Sequence, residues 1–174
     1  MTLVVLLGGA RSGKSALAVR LAAEAGAPVT FVATAQAGDE EMAERIRRHR
    51  QERPEEWSTI EEPVDVLAAI ERARAADTIV LDCLSFWVAN VLDDVDDLEE
   101  QARAATAACA ARPGLTVAVS NEVGLGIVPA TPLGRRYRDI LGRVNMIWAA
   151  AADEALLIVA GRALRLEPAA QILR

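Results

Sequence analysis

The stretch LVVLLGGARSGKS, residues 3–15, decides the fold because it joins an unbroken apolar run to a glycine-rich turn. The apolar run predicts a strand that is buried on both faces. The turn matches the pattern G-x-x-x-x-G-K-[ST] at every fixed position. Its glycines let backbone N–H groups face phosphate oxygens, and the helix that follows adds positive potential. We therefore expect a nucleotide to be bound by this loop: Gly8, Gly9, Ala10, Arg11, Ser12, Gly13, Lys14 and Ser15.

Three side chains around this loop are expected to supply its chemistry. Lys14, the only lysine among 19 lysine and arginine residues, can reach the β- and γ-phosphates. The hydroxyl of Ser15 can bind Mg²⁺. Asp82 closes the apolar run TIVLD, residues 78–82, and is expected at the carboxyl edge of the sheet beside the loop. There it would hold Mg²⁺ directly or through water, whereas Asp77 lies at the opposite end of the same strand.

Strands and helices alternate along the whole sequence, which predicts an α/β fold with three layers and a mostly parallel central sheet. A C-terminal antiparallel hairpin is expected around Gly161 and Arg162, and residues 1–174 are expected to form one domain. The acidic run of Asp93, Asp94, Asp96 and Asp97 indicates a solvated turn. The expected strands are 3–7, 29–33, 57–62, 78–82 and 115–120; the expected helices are 14–25, 39–53, 64–76, one ending near 111, and 133–151.

The composition excludes several classes of protein. With 52% hydrophobic and 25% charged residues, the chain is expected to be globular and soluble rather than disordered. A net charge of −6 argues against a nucleic-acid partner. No apolar run approaches the roughly 20 residues that a membrane span needs. Cys83 and Cys109 lack metal-ligand spacing, which is typical of reduced thiols in a cytoplasmic protein.

The only histidine, His49, lies in the segment RIRRHRQER, residues 45–53, among five arginines. On a helix, Arg45 and Arg53 would share its face at i−4 and i+4. That grouping is unfavourable unless an anion binds, and arginines can hold phosphate oxygens while an imidazole attacks. The alternative interpretation is an exposed basic helix in an arginine-rich protein, and the segment alone leaves both open.

Several motifs occur together in a characteristic order. They are GGARSGKS, VATAQ (32–36), DEEMAERIRRHRQERPEEW (39–57), NEVGLGIVP (121–129) and GRVN (142–145). In this order and spacing the chain resembles the bifunctional adenosylcobinamide kinase/adenosylcobinamide-phosphate guanylyltransferases of cobalamin biosynthesis. The pattern R-I-x-x-H-x-x-x-R-P, together with NEVGxGIVP, is the specific part of the resemblance.

The resemblance implies a P-loop NTPase fold with RecA-like topology, a homotrimer, and two reactions. Such enzymes phosphorylate adenosylcobinamide with ATP or GTP. A histidine then attacks GTP, releases pyrophosphate and passes GMP to the new phosphate, which gives adenosylcobinamide-GDP. Mg²⁺ is the expected cofactor, and the corrinoid and the nucleoside triphosphates are the expected partners.

Carried over residue by residue, the resemblance places the guanylylated histidine on His49, which completes a catalytic set with Lys14 and Asp82. Asp82 stands where family members often have Glu. The implied nucleotide contacts outside the loop are Thr34, Ala35, Gln36, Arg50, Gln51, Glu52, Arg53, Glu61 and Asp82.

Two other functions remain open on the sequence alone. One is a plain P-loop small-molecule kinase in which His49 has no chemical role. The other is a RecA-like, nucleotide-dependent regulatory protein. Asn121 and Glu122 follow a strand at its carboxyl end, where they would either position the corrinoid or hold a structural loop. The sequence does not reveal the nucleotide preference of the kinase step or how His49 approaches the phosphate loop.

Overall fold

A seven-stranded sheet forms the centre of the protein in a computed structural model that describes residues 2–93 and 97–172. Its order is β3-β2-β4-β5-β1-β6-β7, and each neighbouring pair is parallel except the antiparallel pair β6–β7. The mostly parallel sheet and the C-terminal hairpin are therefore confirmed. The strands are β1 (Thr2–Gly8), β2 (Val29–Ala33), β3 (Ser58–Glu61), β4 (Thr78–Asp82), β5 (Leu115–Val119), β6 (Glu154–Val159) and β7 (Arg162–Arg165).

Helices cover both faces of this sheet, so the three-layer prediction is also confirmed. Alternate residues of β1 point to opposite faces, as the period of a strand requires. Val4 and Leu6 pack with Ala18 and Ala22 of the first helix, while Leu3, Val5 and Leu7 pack in a second core that includes Trp87 and Trp148. The helices are α1 (Lys14–Glu24), α2 (Glu40–Gln51), α3 (Val66–Arg72), α4 (Leu84–Asn90), α5 (Leu98–Ala111), α6 (Pro132–Ala151) and α7 (Ala169–Ile172).

One predicted helix ends early for a reason that lies far away in the sequence. The sequence predicts a helix to residue 76, but α3 ends at Arg72 and Ala73 is extended. The buried guanidinium of Arg112 donates to the carbonyl oxygens of Ile70 and Ala73, each at 3.1 Å, and also to those of Arg74 and Asp77. The guanidinium thus takes the place of the backbone N–H groups that would have bonded to these terminal carbonyls if the helix had continued.

Other segments agree with expectation or add to it. Residues 84–90, expected only as an apolar segment, form α4, and α7 was not predicted. Asp77 lies at the far edge from Asp82, where it accepts a hydrogen bond of 2.7 Å from Thr30. The predicted turn at Asp94 and Asp96 lies outside the described residues. Across the described ranges, no helix combines the length and apolar character that crossing a bilayer demands.

Candidate functional site

The phosphate loop lies between the end of β1 and the start of α1, as the motif predicts. Gly13 has a φ of 101° and Gly8 has a φ of 148°. Residues other than glycine rarely adopt these backbone angles. A Cβ at Gly8 would lie 2.2 Å from the carbonyl oxygen of Ile158 on β6. The loop is also bound to the hairpin, since the N–H of Gly161 donates to the carbonyl of Ser12 at 2.9 Å. Close backbone packing therefore requires glycine at position 8.

Lys14 lies almost wholly buried beneath this loop. Its Nζ donates to the carbonyl oxygens of Gly8 at 2.9 Å and Gly9 at 2.6 Å, and it lies 3.4 Å from the hydroxyl of Ser12. Burial lowers the pKa of Lys14, against the negative charge of the nearby Asp82, which raises it. A phosphate would offer this ammonium a charged partner in place of neutral carbonyls.

A cavity of about 530 Å³ opens above the loop and gathers most of the predicted site residues. The loop contributes residues 10–15, and α1 adds Ala16. The ends of the strands and the residues just after them contribute Ala33, Ala35, Glu61, Asp82, Cys83, Val119 and Asn121. Helix α2 covers the cavity with Glu41, Met42, Glu44, Arg45, Ile46, Arg48 and His49, and Glu52 and Arg53 follow it. Phosphate loop, histidine and carboxylate therefore share one cavity.

His49 lies beside Asp82 within this cavity. Its Nδ1 is 3.9 Å from Oδ2 of Asp82, and both side chains are largely shielded from solvent. The distance is too long for a hydrogen bond but within reach of charge interaction. Nδ1 is therefore the ring nitrogen that lies near the carboxylate. The sequence did not predict this pair, since it depends on how α2 lies across the end of β4.

The arginines around His49 fall into two groups. Arg45 and Arg53 line the cavity, and each lies over an aromatic ring: Arg45 is 6.0 Å from the centroid of Phe86 and Arg53 is 3.4 Å from that of Phe31. Burial lowers the pKa of Arg53, while the charge of Asp82 acts in the opposite direction. Among the described residues, no carboxylate lies within 4.0 Å of either guanidinium.

The remaining three arginines have carboxylate neighbours. Arg47 pairs with Glu44 and does not line the cavity. Arg50 pairs with Glu61 and is mostly exposed. Arg48 lines the cavity but lies 3.9 Å from Glu52. Two cations without a carboxylate partner among the described residues thus flank His49: Arg45 lies one helical turn before it, and Arg53 lies just beyond the C-terminus of α2.

Some predicted nucleotide contacts do not line the cavity. Gly8 and Gly9 form the base of the loop, and Gln36, Arg50 and Gln51 are not among the residues that line the cavity. Thr34 is fully buried, and its hydroxyl donates to the carbonyl of Cys83 at 2.7 Å and accepts from the N–H of Cys83 at 2.8 Å. The side chain of Thr34 therefore reaches the site only through Cys83.

Other lining residues were missed by the sequence analysis. Phe86 lies on α4, directly after the strand that ends in Asp82, so the apolar run CLSFWVANVL carried a signal for it. Glu41 and Met42 carried none, because residues at the start of a charged helix look solvated.

Asn121 and Glu122, which the sequence analysis named, differ in position. Asn121 lines the cavity and donates to the hydroxyl of Ser85 at 3.2 Å, whereas Glu122 accepts from the N–H of Gly124.

Three comparisons with known proteins bear on this site and fold. A family model described as cobinamide kinase / cobinamide phosphate guanyltransferase matches residues 4–166. The bifunctional adenosylcobalamin biosynthesis protein CobP of Pseudomonas aeruginosa is 45% identical over 160 residues, covering 90% of this chain and 92% of that protein. The bifunctional adenosylcobalamin biosynthesis protein CobU of Escherichia coli is 40% identical over 176 residues, covering 91% and 96%.

Solved structures give the same fold at much lower identity. The flagellar accessory protein FlaH of Methanocaldococcus jannaschii has a TM-score of 0.52 and 19% identity, covering 95% of this chain and 78% of that one. An ATPase of a bacterial type III secretion system has a TM-score of 0.54 and 11% identity, covering 94% and 56%. These likenesses confirm the P-loop NTPase fold, and the family model and curated relatives go further. The chain belongs to the cobinamide kinase / cobinamide phosphate guanyltransferase family.

Proposed function

We propose that this enzyme phosphorylates adenosylcobinamide with ATP or GTP and then transfers GMP from GTP, through His49, to give adenosylcobinamide-GDP and pyrophosphate. The observation that carries the proposal is the single cavity in which the phosphate loop, Asp82 and His49 lie together. A plain kinase or a regulatory NTPase would need the loop but would have no use for a histidine flanked by two unpaired arginines.

In the kinase step, the loop amides and Lys14 bind the β- and γ-phosphates. The hydroxyl oxygen of the corrinoid's aminopropanol arm forms a bond to the γ-phosphorus as the bond to the β–γ bridging oxygen breaks. The nucleoside diphosphate leaves, and the hydroxyl proton passes to a base or to solvent. Two carbonyl oxygens already hold the Lys14 ammonium within the loop, and phosphate oxygens would replace them as its partners.

In the guanylyl-transfer step, Nε2 of His49 attacks the α-phosphorus of GTP. A P–N bond forms, the bond to the α–β bridging oxygen breaks, and pyrophosphate leaves with the electron pair. The Nδ1 proton remains opposite Asp82, whose negative charge stabilises the ring as it becomes positive. The new phosphate of the corrinoid then attacks the same phosphorus and releases His49.

The residues present suit a magnesium ion. Ser15 and Asp82 both line the cavity and offer the oxygen ligands that Mg²⁺ prefers. Within residues 2–93 and 97–172 no group of three or more His, Cys, Asp or Glu side chains could hold a metal without help. Phosphate oxygens and water would complete the shell, and the ion would neutralise phosphate charge.

The proposal is tested by covalent labelling. The enzyme is incubated with Mg²⁺ and GTP labelled at the α-phosphate, denatured, and analysed for bound label that acid releases. The wild type should retain such label and His49→Ala should retain none, although it still binds GTP. Transfer of γ-phosphate to the corrinoid without any adduct would favour the plain kinase. Nucleotide-dependent binding of a partner with neither transfer would favour the regulatory protein.

The proposal extends to a cytoplasmic homotrimer whose protomer is one domain over residues 1–174. The loop after β5 supports contact with another molecule, because Leu125 and Ile127 are almost fully exposed. Light scattering on the purified protein should give three times the protomer mass of 18.5 kDa. A monomeric mass at micromolar concentration would contradict the trimer and leave the chemistry untouched.

A further inference from the structure

Of the two unpaired arginines, Arg45 lies on the phosphate-loop side of His49. The positive charge of Arg45 is among the causes that lower the pKa of Lys14. Arg53 lies instead over Phe31 of β2, which the strand order places one strand farther than β4 from β1 and its phosphate loop. The ring under Arg45 belongs to α4, which starts directly after the Asp82 strand end. The two guanidinium groups thus mark opposite ends of the site.

A triphosphate bound in this cavity has a fixed direction. Under the proposed function its β- and γ-phosphates would lie on the loop and Lys14, its α-phosphate would lie at His49, and its nucleoside would extend away from the loop. The end marked by Arg45 is therefore the pyrophosphate end, and the end marked by Arg53 is the nucleoside end. When the α–β bond breaks, one further negative charge develops on the pyrophosphate, at the end where Arg45 lies.

We propose that Arg45 is a catalytic residue of guanylyl transfer that binds the departing pyrophosphate and stabilises the charge developing on it. This inference rests on the proposed function. The guanidinium is free to act because no carboxylate of the described residues pairs with it. It lies over the ring of Phe86, 6.0 Å from the ring centroid. Its position at i−4 places it on the face of α2 that carries the nucleophile.

The inference separates the steps in which pyrophosphate takes part from those in which it does not. Formation of the adduct and its reversal by added pyrophosphate both pass through the same transition state, and both should need Arg45. Loss of GMP from the isolated adduct to water involves no pyrophosphate, so it should not need Arg45. A residue that merely supported α2 would affect all three rates alike.

The experiment measures these three rates in Arg45→Ala. At saturating GTP, labelling of His49 should be slowed by about 100-fold, the loss expected when one charge-stabilising donor is removed. Return of label to GTP, on adding inorganic pyrophosphate to the desalted adduct, should slow by a similar factor. Hydrolysis of the desalted adduct in buffer alone should stay at the wild-type rate, and binding of a fluorescent GTP analogue should change by less than about threefold.

Two variants serve as controls. Arg47→Ala removes the same charge from the same helix, but Arg47 itself does not line the cavity, so all three rates should match the wild type. Arg45→Lys should recover part of the lost rate. If Arg45→Ala does not fold by circular dichroism, Arg45→Gln keeps most of the side-chain stem above Phe86 and replaces it.

The outcomes are distinct from those that test the proposed function. Absence of acid-labile label in the wild type would overturn the proposed function and this inference together. Wild-type labelling with an Arg45→Ala variant that labels equally fast at saturation would overturn the inference alone. An effect on GTP affinity without an effect on the saturated rate, or equal slowing of buffer hydrolysis, would also overturn it.

Discussion

Gly8 and Gly9 are adjacent in the phosphate loop but differ in what they allow. Gly8 packs against the backbone of β6 and has a positive φ, whereas a Cβ on Gly9 would meet nothing within 4 Å. The first glycine is required by the fold, and the second leaves open space at the loop. The sequence pattern fixes only the first, in agreement with this difference.

We predict that Gly8→Ala lowers the free energy of unfolding by more than about 1 kcal/mol, because the new methyl group meets the Ile158 carbonyl in a strained backbone. Gly9→Ala, the matched control, should change it by no more than about 0.5 kcal/mol. Urea unfolding followed by circular dichroism measures both. Equal stability of the two variants would contradict the packing argument, whatever happens to nucleotide binding.

Single residues also show how far sequence reasoning reaches at this site. Lys14 and Asp82 could be predicted because a motif and a strand end fix their positions locally. The contact of His49 with Asp82 could not, since β3 and α3 lie between them in the sequence and the contact depends on how α2 docks. The difference between Arg45 and Arg47 is equally invisible in the sequence, where both are arginines beside the same histidine.

Helix α2 is held by its own charges more than by packing. Asp39 caps it by accepting from the N–H of Met42 at 2.7 Å, and acidic residues begin it where basic residues end it. None of its residues is buried. Its attachments to the body include the His49–Asp82 contact, the Arg50–Glu61 pair and the Arg45–Phe86 contact, and Arg53 just after the helix lies over Phe31.

We therefore predict that the amides of α2 exchange hydrogen faster than those of α6, which buries Leu141, Val144 and Trp148. GTP, whose phosphates join the loop to the α2 side chains, should slow exchange in α2 and leave α6 unchanged. Hydrogen exchange read by mass spectrometry, with and without GTP, tests this. Protection of α2 equal to that of α6 in the free enzyme would contradict it.

The two helices α2 and α3 differ in how well sequence predicts them. The charge gradient of α2 is a local signal, and its bounds agree with expectation within a few residues. The end of α3 depends on Arg112, about 40 residues later, which binds the carbonyls of its last turn. A long-range cap of this kind leaves no trace in the segment that it ends.

Residue patterns predicted that the sheet would be mostly parallel, but they did not predict the order of its strands. Continuous apolar runs predicted β2 and β4 to the residue, because strands buried on both faces have no polar side. The order of strands across the sheet depends on which crossover packs where, and the family resemblance supplied that expectation. The cytoplasmic location and the trimer stay predictions.

Stability of the whole molecule should fall in alkaline solution. Burial raises the pKa of the Cys83 and Cys109 thiols to about 11 and that of Tyr137 to about 12. Because the unfolded chain releases these protons first, stability that is complete below pH 9 is lost as the pH rises through 11. Each thiol should contribute about 2–3 kcal/mol to the decline.

Urea unfolding at pH 7 and pH 10.5 measures this decline. Cys109 does not line the cavity, so Cys109→Ala serves as the matched variant. It should be less stable than the wild type at pH 7 but lose less free energy of unfolding between pH 7 and pH 10.5. If Cys109→Ala and the wild type lose the same free energy of unfolding between pH 7 and pH 10.5, the Cys109 thiol is not a source of the alkaline loss.

The packing of Gly8 against Ile158 has a consequence for how this protein is made. The backbone that shapes the phosphate loop is translated 150 residues after Gly8, and Gly161 follows three residues after that. At ordinary translation rates the nascent loop waits on the order of 10 s for this support. A growing chain can therefore carry the complete motif before it has the β6 backbone against which the loop packs.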